Sequence, residues 1–157
     1  MGSCCSVDGG DGITVSTSCA RCRQPGRTVE RITLKALLAP NALARLSSGP
    51  YRFCPTPACE VVYFGPDGIF IREDLMVRVF QKEAAGERTV CYCFDVTESD
   101  LRRELEEGTR PTASERITAL VKADRCACEV RNPQGSCCLG NITSVVQDLQ
   151  GEVASAR

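Results

Sequence analysis

The chain has 157 residues, of which twelve are cysteine and none histidine, with 43% hydrophobic and 5% aromatic residues and a formal net charge of −1. Without histidine no Ser/His/Asp or Cys/His catalytic set can be assembled, and no phosphate-cradling glycine loop is present, so a freestanding enzyme is not expected. Residues 1–90 carry 11 basic and 9 acidic side chains and residues 91–157 carry 8 and 11, a balance that offers no basic face for nucleic acid.

Residues 1–18 are polar and rich in Gly, Ser and Thr apart from Ile13 and Val15, and read as a flexible arm bearing the adjacent pair Cys4-Cys5. Gly9-Gly-Asp-Gly12 belongs to that arm rather than to a nucleotide site. The start Met1-Gly-Ser-Cys-Cys5 has neither the basic residues nor the apolar run of a secretory signal. No stretch approaches the roughly 20 apolar residues of a membrane span. Adjacent cysteines and those one residue apart also bond poorly to each other, because a disulfide needs specific Cα separations and torsions. A reducing, cytoplasmic location without membrane insertion is therefore expected rather than a secreted disulfide scaffold.

Leu34, Leu37 and Leu38 recur at helical spacing up to Pro40, and Leu43 and Leu46 continue an apolar face beyond it. Proline is tolerated in a first turn but not in a helix interior, which places a break at Ala39-Pro40 and a second short helix after it. Tyr51-Arg-Phe-Cys54 and Val61-Val-Tyr-Phe64 are strand-like runs that put Cys54 and Cys59 at the tip of a hairpin. Gly65-Pro-Asp-Gly68 is a turn, Met76-Val-Arg-Val-Phe80 reads as a third strand, and Ala84-Ala-Gly-Glu-Arg88 as a linker. Beyond residue 90 the pattern is helical. Thr97-x-x-Asp100 opens a helix that Gly108 closes, Thr112-x-x-Glu115 predicts a capping box before Ile117, Leu120 and Val121, and Ile142, Val145, Val146 and Leu149 share one face of a last helix. The expected fold is α+β: an arm (1–18), a small zinc-stapled strand/helix subdomain (19–88), an all-helical [2Fe-2S]-binding subdomain (89–150) and a tail (151–157).

The cysteines carry the chemistry. Cys19-x2-Cys22, 31 further residues, then Cys54-x4-Cys59 supply four thiolates in two close pairs, the donor set of a tetrahedral zinc site. With no open position such a site is structural, and Pro55 and Pro57 would stiffen its second turn. The competing reading is four buried free thiols packing as small hydrophobes. Cys91-x-Cys93, 32 further residues, then Cys126-x-Cys128 and Cys137-Cys138 offer six thiols where a [2Fe-2S] cluster needs four. Cys138 would begin the last helix, whose positive end favours an anionic cluster. A second zinc site is the alternative.

These strings resemble a known family. Cys19-x2-Cys22, the run from Tyr51 to Phe64, Val79-Phe-Gln-Lys82, Cys91-Tyr-Cys-Phe94 and the run from Cys126 to Gly140 are similar to the N-terminal domain of CopZ-type copper chaperones, over about residues 19 to 149. The resemblance implies a mononuclear zinc and a [2Fe-2S] cluster, with a second half similar to bacterioferritin-associated ferredoxin. Cys91, Cys93 and Cys126 fall on the first three ligand positions of that ferredoxin, and Cys138 is preferred as the fourth; Cys128 and Cys137 are the alternates. The Met-x-Cys-x-x-Cys copper loop of full-length chaperones does not occur among these residues.

The function that follows is an electron-transfer or redox module linked to copper or other soft-metal handling, including reduction of a metal ion through the cluster. Its implied partner is a metal-transport or redox protein such as a copper ATPase or a copper chaperone domain. Two other readings are a soft-metal chaperone or sensor that captures an ion on Cys4 and Cys5, and an interaction module in which both metals are structural.

Overall fold

A computed structural model describes residues 16–108 and 112–156. The Cys4-Cys5 pair lies outside the described residues. The first half is a four-stranded antiparallel sheet, β1 (Arg27–Val29), β2 (Tyr51–Phe53), β3 (Val61–Gly65) and β4 (Gly68–Ile71), in that spatial order. Helices α1 (Arg31–Leu37) and α2 (Pro40–Leu43) fill the connection from β1 to β2. Ala39 is extended because the proline ring bars αR at the residue before it, Leu38 is extended as the C-cap of α1, and Pro40 occupies the first turn of α2.

The hairpin β2–β3 pairs Arg52 with Phe64 and Phe53 with Tyr63, so Cys54 to Cys59 form its tip as the sequence predicts. Strand β3 is buried on both faces. A bulge between Val61 and Tyr63 breaks the alternation, sending Val62 and Tyr63 into the main core and Val61 and Phe64 against the cysteine turns. The main core comprises Val29, Leu34, Leu38, Ala42, Tyr51, Phe53, Val62, Tyr63, Phe70 and Val79.

Met76–Phe80 is not a strand. The tight Pro66-Asp67 turn, with Gly68 at φ +149°, instead folds Gly68–Ile71 back onto β3 as the sheet's edge strand. The later segment lies against the end of α1, where the Met76 amide donates to the Leu37 carbonyl at 2.8 Å and Leu38 bridges to Leu75. Val79 and Phe80 are consecutive buried residues, not alternating ones, and a single 3-10 turn spans Phe80–Lys82.

The second half is not purely helical. It opens with a small hairpin, β5 (Thr89–Cys91) and β6 (Val96–Thr97), followed by α3 (Glu98–Glu106), α4 (Ala113–Lys122), the single turn α5 (Cys128–Arg131) and α6 (Leu139–Ser155). The Cys91-x-Cys93 string sits in this hairpin, whose strands were too short to stand out as a sequence pattern. Helices α3 and α4 pack on α6, burying Leu101, Ile117, Ile142, Val145 and Leu149 with Val90 and Val96. Helix α6 continues through Ser155, into the stretch expected to be a tail.

The Thr97–Asp100 box forms: the Asp100 amide donates to Thr97 Oγ1 at 3.2 Å and the Thr97 amide to Asp100 Oδ2 at 2.9 Å. The predicted Thr112–Glu115 box does not. Thr112 already has helical backbone angles, and Glu104 of α3 caps α4 from across the interface, its Oε2 accepting the Thr112 amide at 2.9 Å and the Ala113 amide at 3.3 Å.

The two halves meet along α1 and α5. The Tyr63 hydroxyl donates to the Pro133 carbonyl at 2.7 Å, and Gln81 Nε2 to Gln134 Oε1 at 2.5 Å. Gly135, at φ +67°, lies so close to β1 that a Cβ there would stand 2.8 Å from Val29 Cγ2, which excludes any larger residue without local rearrangement.

Candidate metal centres

The first cysteine pair is carried by a turn closed on itself. The Cys19 amide donates to the Gln24 carbonyl at 2.9 Å, the Arg23 amide to the Cys19 carbonyl at 2.8 Å, and Arg23 takes a left-handed φ of 60°. The second pair is held by the β2–β3 hairpin through Cys54 N to Val62 O at 2.8 Å and Cys59 N to Thr56 O at 3.2 Å. Opposed, the two turns bring all four sulfurs within 4.8 Å of one another, with Cys19 to Cys59 at 3.9 Å and Cys22 to Cys54 at 3.6 Å. A tetrahedral ion with metal–sulfur bonds of about 2.3 Å sets its sulfurs about 3.8 Å apart, so the donor set fits one zinc with no position left open.

Cys19, Cys54 and Cys59 are buried, and Cys22 forms the more accessible edge. Its thiol is held down to about 6 by the hydrogen bond with Thr56, whose Oγ1 lies 3.4 Å from Sγ. Burial raises Cys54, and pushes Cys59 up to about 12. The Cys22 thiolate is thus available to begin metal capture while Cys54 and Cys59 await the ion's charge.

In the second centre Cys91 ends β5 and Cys93 lies in the turn that joins β5 to β6. Tyr92 anchors that turn, accepting the Phe80 amide at 2.9 Å and donating to the Arg78 carbonyl at 2.7 Å. Cys128 opens α5 and Cys138 is the residue immediately before α6, as the sequence predicts for Cys138. The sulfurs of Cys93 and Cys128 lie 3.6 Å apart, and Cys91 and Cys138 are near enough to act on each other's acidity. The Cys138 thiol lowers Cys91 to about 6 and is itself raised, while burial lifts Cys128 to about 12. Among the described residues only the first centre gathers three or more such ligands within 4.8 Å of one another.

The sequence favours Cys126 as the third ligand with Cys128 as its alternate, but it is Cys128 whose sulfur meets Cys93. Cys126 is partly exposed two residues earlier, and Cys137 is exposed beside Cys138. The loop 132–138 that delivers Cys138 is a polar network the sequence pattern did not reveal. Asn132 and Gln134 are buried; Asn132 Nδ2 donates to Ser136 O at 2.9 Å, Gln134 Nε2 to Cys137 O at 3.0 Å, and Asn141 Nδ2 to Gln134 Oε1 at 3.2 Å. The only available signal was the Asn-Pro-Gln-Gly string itself, which has turn composition but no periodicity.

Residues 16–76, which contain all four cysteines of the first centre, match the family model of a zinc binding domain of CopZ type. The solved N-terminal domain of CopZ from Archaeoglobus fulgidus superposes with a TM-score of 0.67 at 30% identity, over 82% of this chain and 96% of that domain. The chain belongs to the CopZ N-terminal domain family. The copper chaperone CopZ of the same organism is 32% identical over 139 residues, which is 88% of this chain and 66% of the relative's own length. CopZ membership supports zinc at the first centre and a connection with soft-metal handling. Among the described residues no helix is long and apolar enough to cross a membrane.

Proposed function

We propose that this CopZ-type domain is a redox module for soft-metal handling, with a structural zinc on Cys19, Cys22, Cys54 and Cys59 and a [2Fe-2S] cluster on Cys91, Cys93, Cys128 and Cys138. The observation that carries the second assignment is the pairing of its thiols. One zinc would draw four sulfurs into a single group, as at the first centre. A two-iron cluster takes two thiolates per iron and keeps the pairs apart, which suits Cys93 with Cys128 and Cys91 with Cys138.

When bound, such a cluster supplies a one-electron couple. The chain's own residues do the rest. The Ala127 amide donates to Cys93 Sγ at 3.3 Å, and the seventeen-residue helix α6 begins directly after Cys138, so its free amides and dipole lie toward negative charge there. Burial of Cys91 and Cys138 keeps water from one pair, whereas Cys93 is partly exposed and gives an electron partner its shortest approach. Likeness to a copper chaperone supports a copper-transport partner, such as a copper ATPase or a copper-binding domain, in a reducing cytoplasm.

Anaerobic purification followed by zinc, iron and sulfide analysis with visible and EPR spectra tests this reading. One zinc, two irons and two sulfides per chain, with an EPR signal on one-electron reduction, is the expected result. Two zincs and no iron after anaerobic reconstitution would remove the redox function.

A further inference from the structure

Lys82 is 6% exposed, and no ion pair to a carboxylate compensates it among the described residues. A buried ammonium without an anion is costly, so its surroundings must supply negative charge. Its Nζ donates to the Thr56 carbonyl at 2.5 Å, inside the loop from Cys54 to Cys59. The hydroxyl of the same Thr56 touches Cys22 Sγ, and the ammonium pulls Cys54 down against the burial that raises it. Arg72 holds the backbone of the lysine itself, donating to the Lys82 carbonyl at 3.2 Å. The anion that this lysine faces is therefore the thiolate set. Four thiolates around a divalent ion form a dianion, and one buried ammonium reduces it to a net monoanion.

We propose that Lys82 is the buried counter-charge of the Cys19/Cys22/Cys54/Cys59 centre, a positioning residue that sets metal affinity and, for a redox-active ion, potential. This rests on the assignment of those four thiols as metal ligands. Lys82 reaches the site from outside both cysteine turns, on the segment leading to β5. The stability of the first centre thus depends on a residue at the junction of the two halves.

The test uses the full chain and three substitutions. Lys82→Gln keeps a donor for the Thr56 carbonyl but removes the charge, Lys82→Arg keeps the charge, and Lys82→Met removes both. Zinc affinity is measured by competition with a chromophoric chelator at fixed pH. Lys82→Gln and Lys82→Met should each weaken zinc by about ten- to a hundredfold, as loss of one nearby charge at an intermediate effective dielectric implies, and Lys82→Arg should recover most of it. Iron placed in the same site reads the charge directly, through its mononuclear high-spin ferric signal, which is distinct from that of a cluster. Losing a positive charge favours ferric over ferrous iron, so the potential should fall in Lys82→Gln and stay near the native value in Lys82→Arg. An unchanged potential in Lys82→Gln overturns the proposal, whatever zinc does, because a hydrogen-bonding role alone would leave the couple in place. Equal metal loss in all three variants also overturns it. If the unsubstituted chain takes neither zinc nor iron on these thiols, the parent assignment fails instead.

Discussion

In the first half the candidate metal ligands stand apart from the main core; in the second, Cys91 and Cys138 are part of it. Cys19, Cys54 and Cys59 cluster with Val61 and Phe64 on one face of the sheet, while a separate group rich in aromatic residues, including Tyr51, Phe53, Tyr63 and Phe70, fills the other. Cys91 and Cys138 pack directly with Val90, Leu101, Ile117, Ile142 and Leu149. A metal in the first half therefore staples loops onto a sheet that has its own core. A metal in the second half would instead satisfy thiols that the helices have already enclosed.

The largest expected effect lies in the second centre. Cys91→Ser, Cys128→Ser and Cys138→Ser should each abolish the visible absorption of the anaerobic protein, and the two core positions should also lower the unfolding temperature. Cys126→Ser and Cys137→Ser should leave nearly native spectra. Bleaching by Cys126→Ser with colour retained in Cys128→Ser would reverse the ligand assignment. Cys59→Ser should lose zinc, and with it metal-binding free energy that is of order 10 kcal/mol in small zinc domains, yet lose less than that in folding. Hydrogen exchange should become fast in residues 17–26 and 54–60 and stay slow around Leu34, Phe53 and Tyr63. Collapse of protection throughout the sheet would break the comparison.

A smaller effect sharpens the contrast in electrostatics. Arg88 Nε meets Glu98 Oε2 at 2.7 Å, and the guanidinium carbon lies 4.4 Å from the centre of the Phe80 ring. Burial pushes Glu98 up, but the Gly86 backbone and Arg88 outweigh it and hold the carboxyl below its usual range. Asp100 is likewise lowered, first by the Thr97 amide. Carboxyls depressed on folding stabilise the fold above their ordinary pKa and lose that contribution as pH falls through the lower folded value. Arg88→Met should cost about 3 kcal/mol, because it leaves Glu98 buried without its partner, and should move the acid-unfolding midpoint of this half to higher pH. An unchanged midpoint would show that Glu98 is held by the backbone alone. Gln134→Ala removes a buried hydrogen-bonding hub beneath Cys138 and should cost about 2 kcal/mol while hastening cluster loss in air. Stability loss without faster bleaching would separate the loop from the cluster site.

The sequence revealed most where one residue type forced the geometry. Pro40 dictated the helix break, the β2–β3 tip followed from two apolar runs flanking Cys54 and Cys59, and the spacing of two cysteine pairs announced the first centre. Failures came where tertiary contact chose between local options. Met76–Phe80 alternates on paper, but a four-residue turn had already assigned the sheet edge to Gly68–Ile71. Cys126 and Cys128 share one spacing argument, and only the start of α5 at Cys128 brings the second of them to Cys93. Nothing in the local pattern around Lys82 signals its burial beside Thr56.

The capping of α4 offers the finest test of this limit. Thr112-x-x-Glu115 satisfies the sequence rule for a self-contained box, yet the Thr112 and Ala113 amides are taken by Glu104, whose Oε1 also lies 3.4 Å from Arg116 Nη1. A cap supplied from α3 ties two helices together as well as closing one, and an orphaned amide at a helix start costs roughly 1 kcal/mol. Glu104→Ala should therefore destabilise the second half by about 1 to 2 kcal/mol in chemical denaturation, since it loses the cap and the Arg116 contact together. Glu115→Ala should cost less, and Thr112→Ala should cost little, because its hydroxyl makes no capping bond. The first half should show none of these changes, as its zinc affinity does not depend on how α4 begins. If Glu115→Ala proves the more damaging of the two glutamate substitutions, the local box operates in solution and the cap across the helices is secondary.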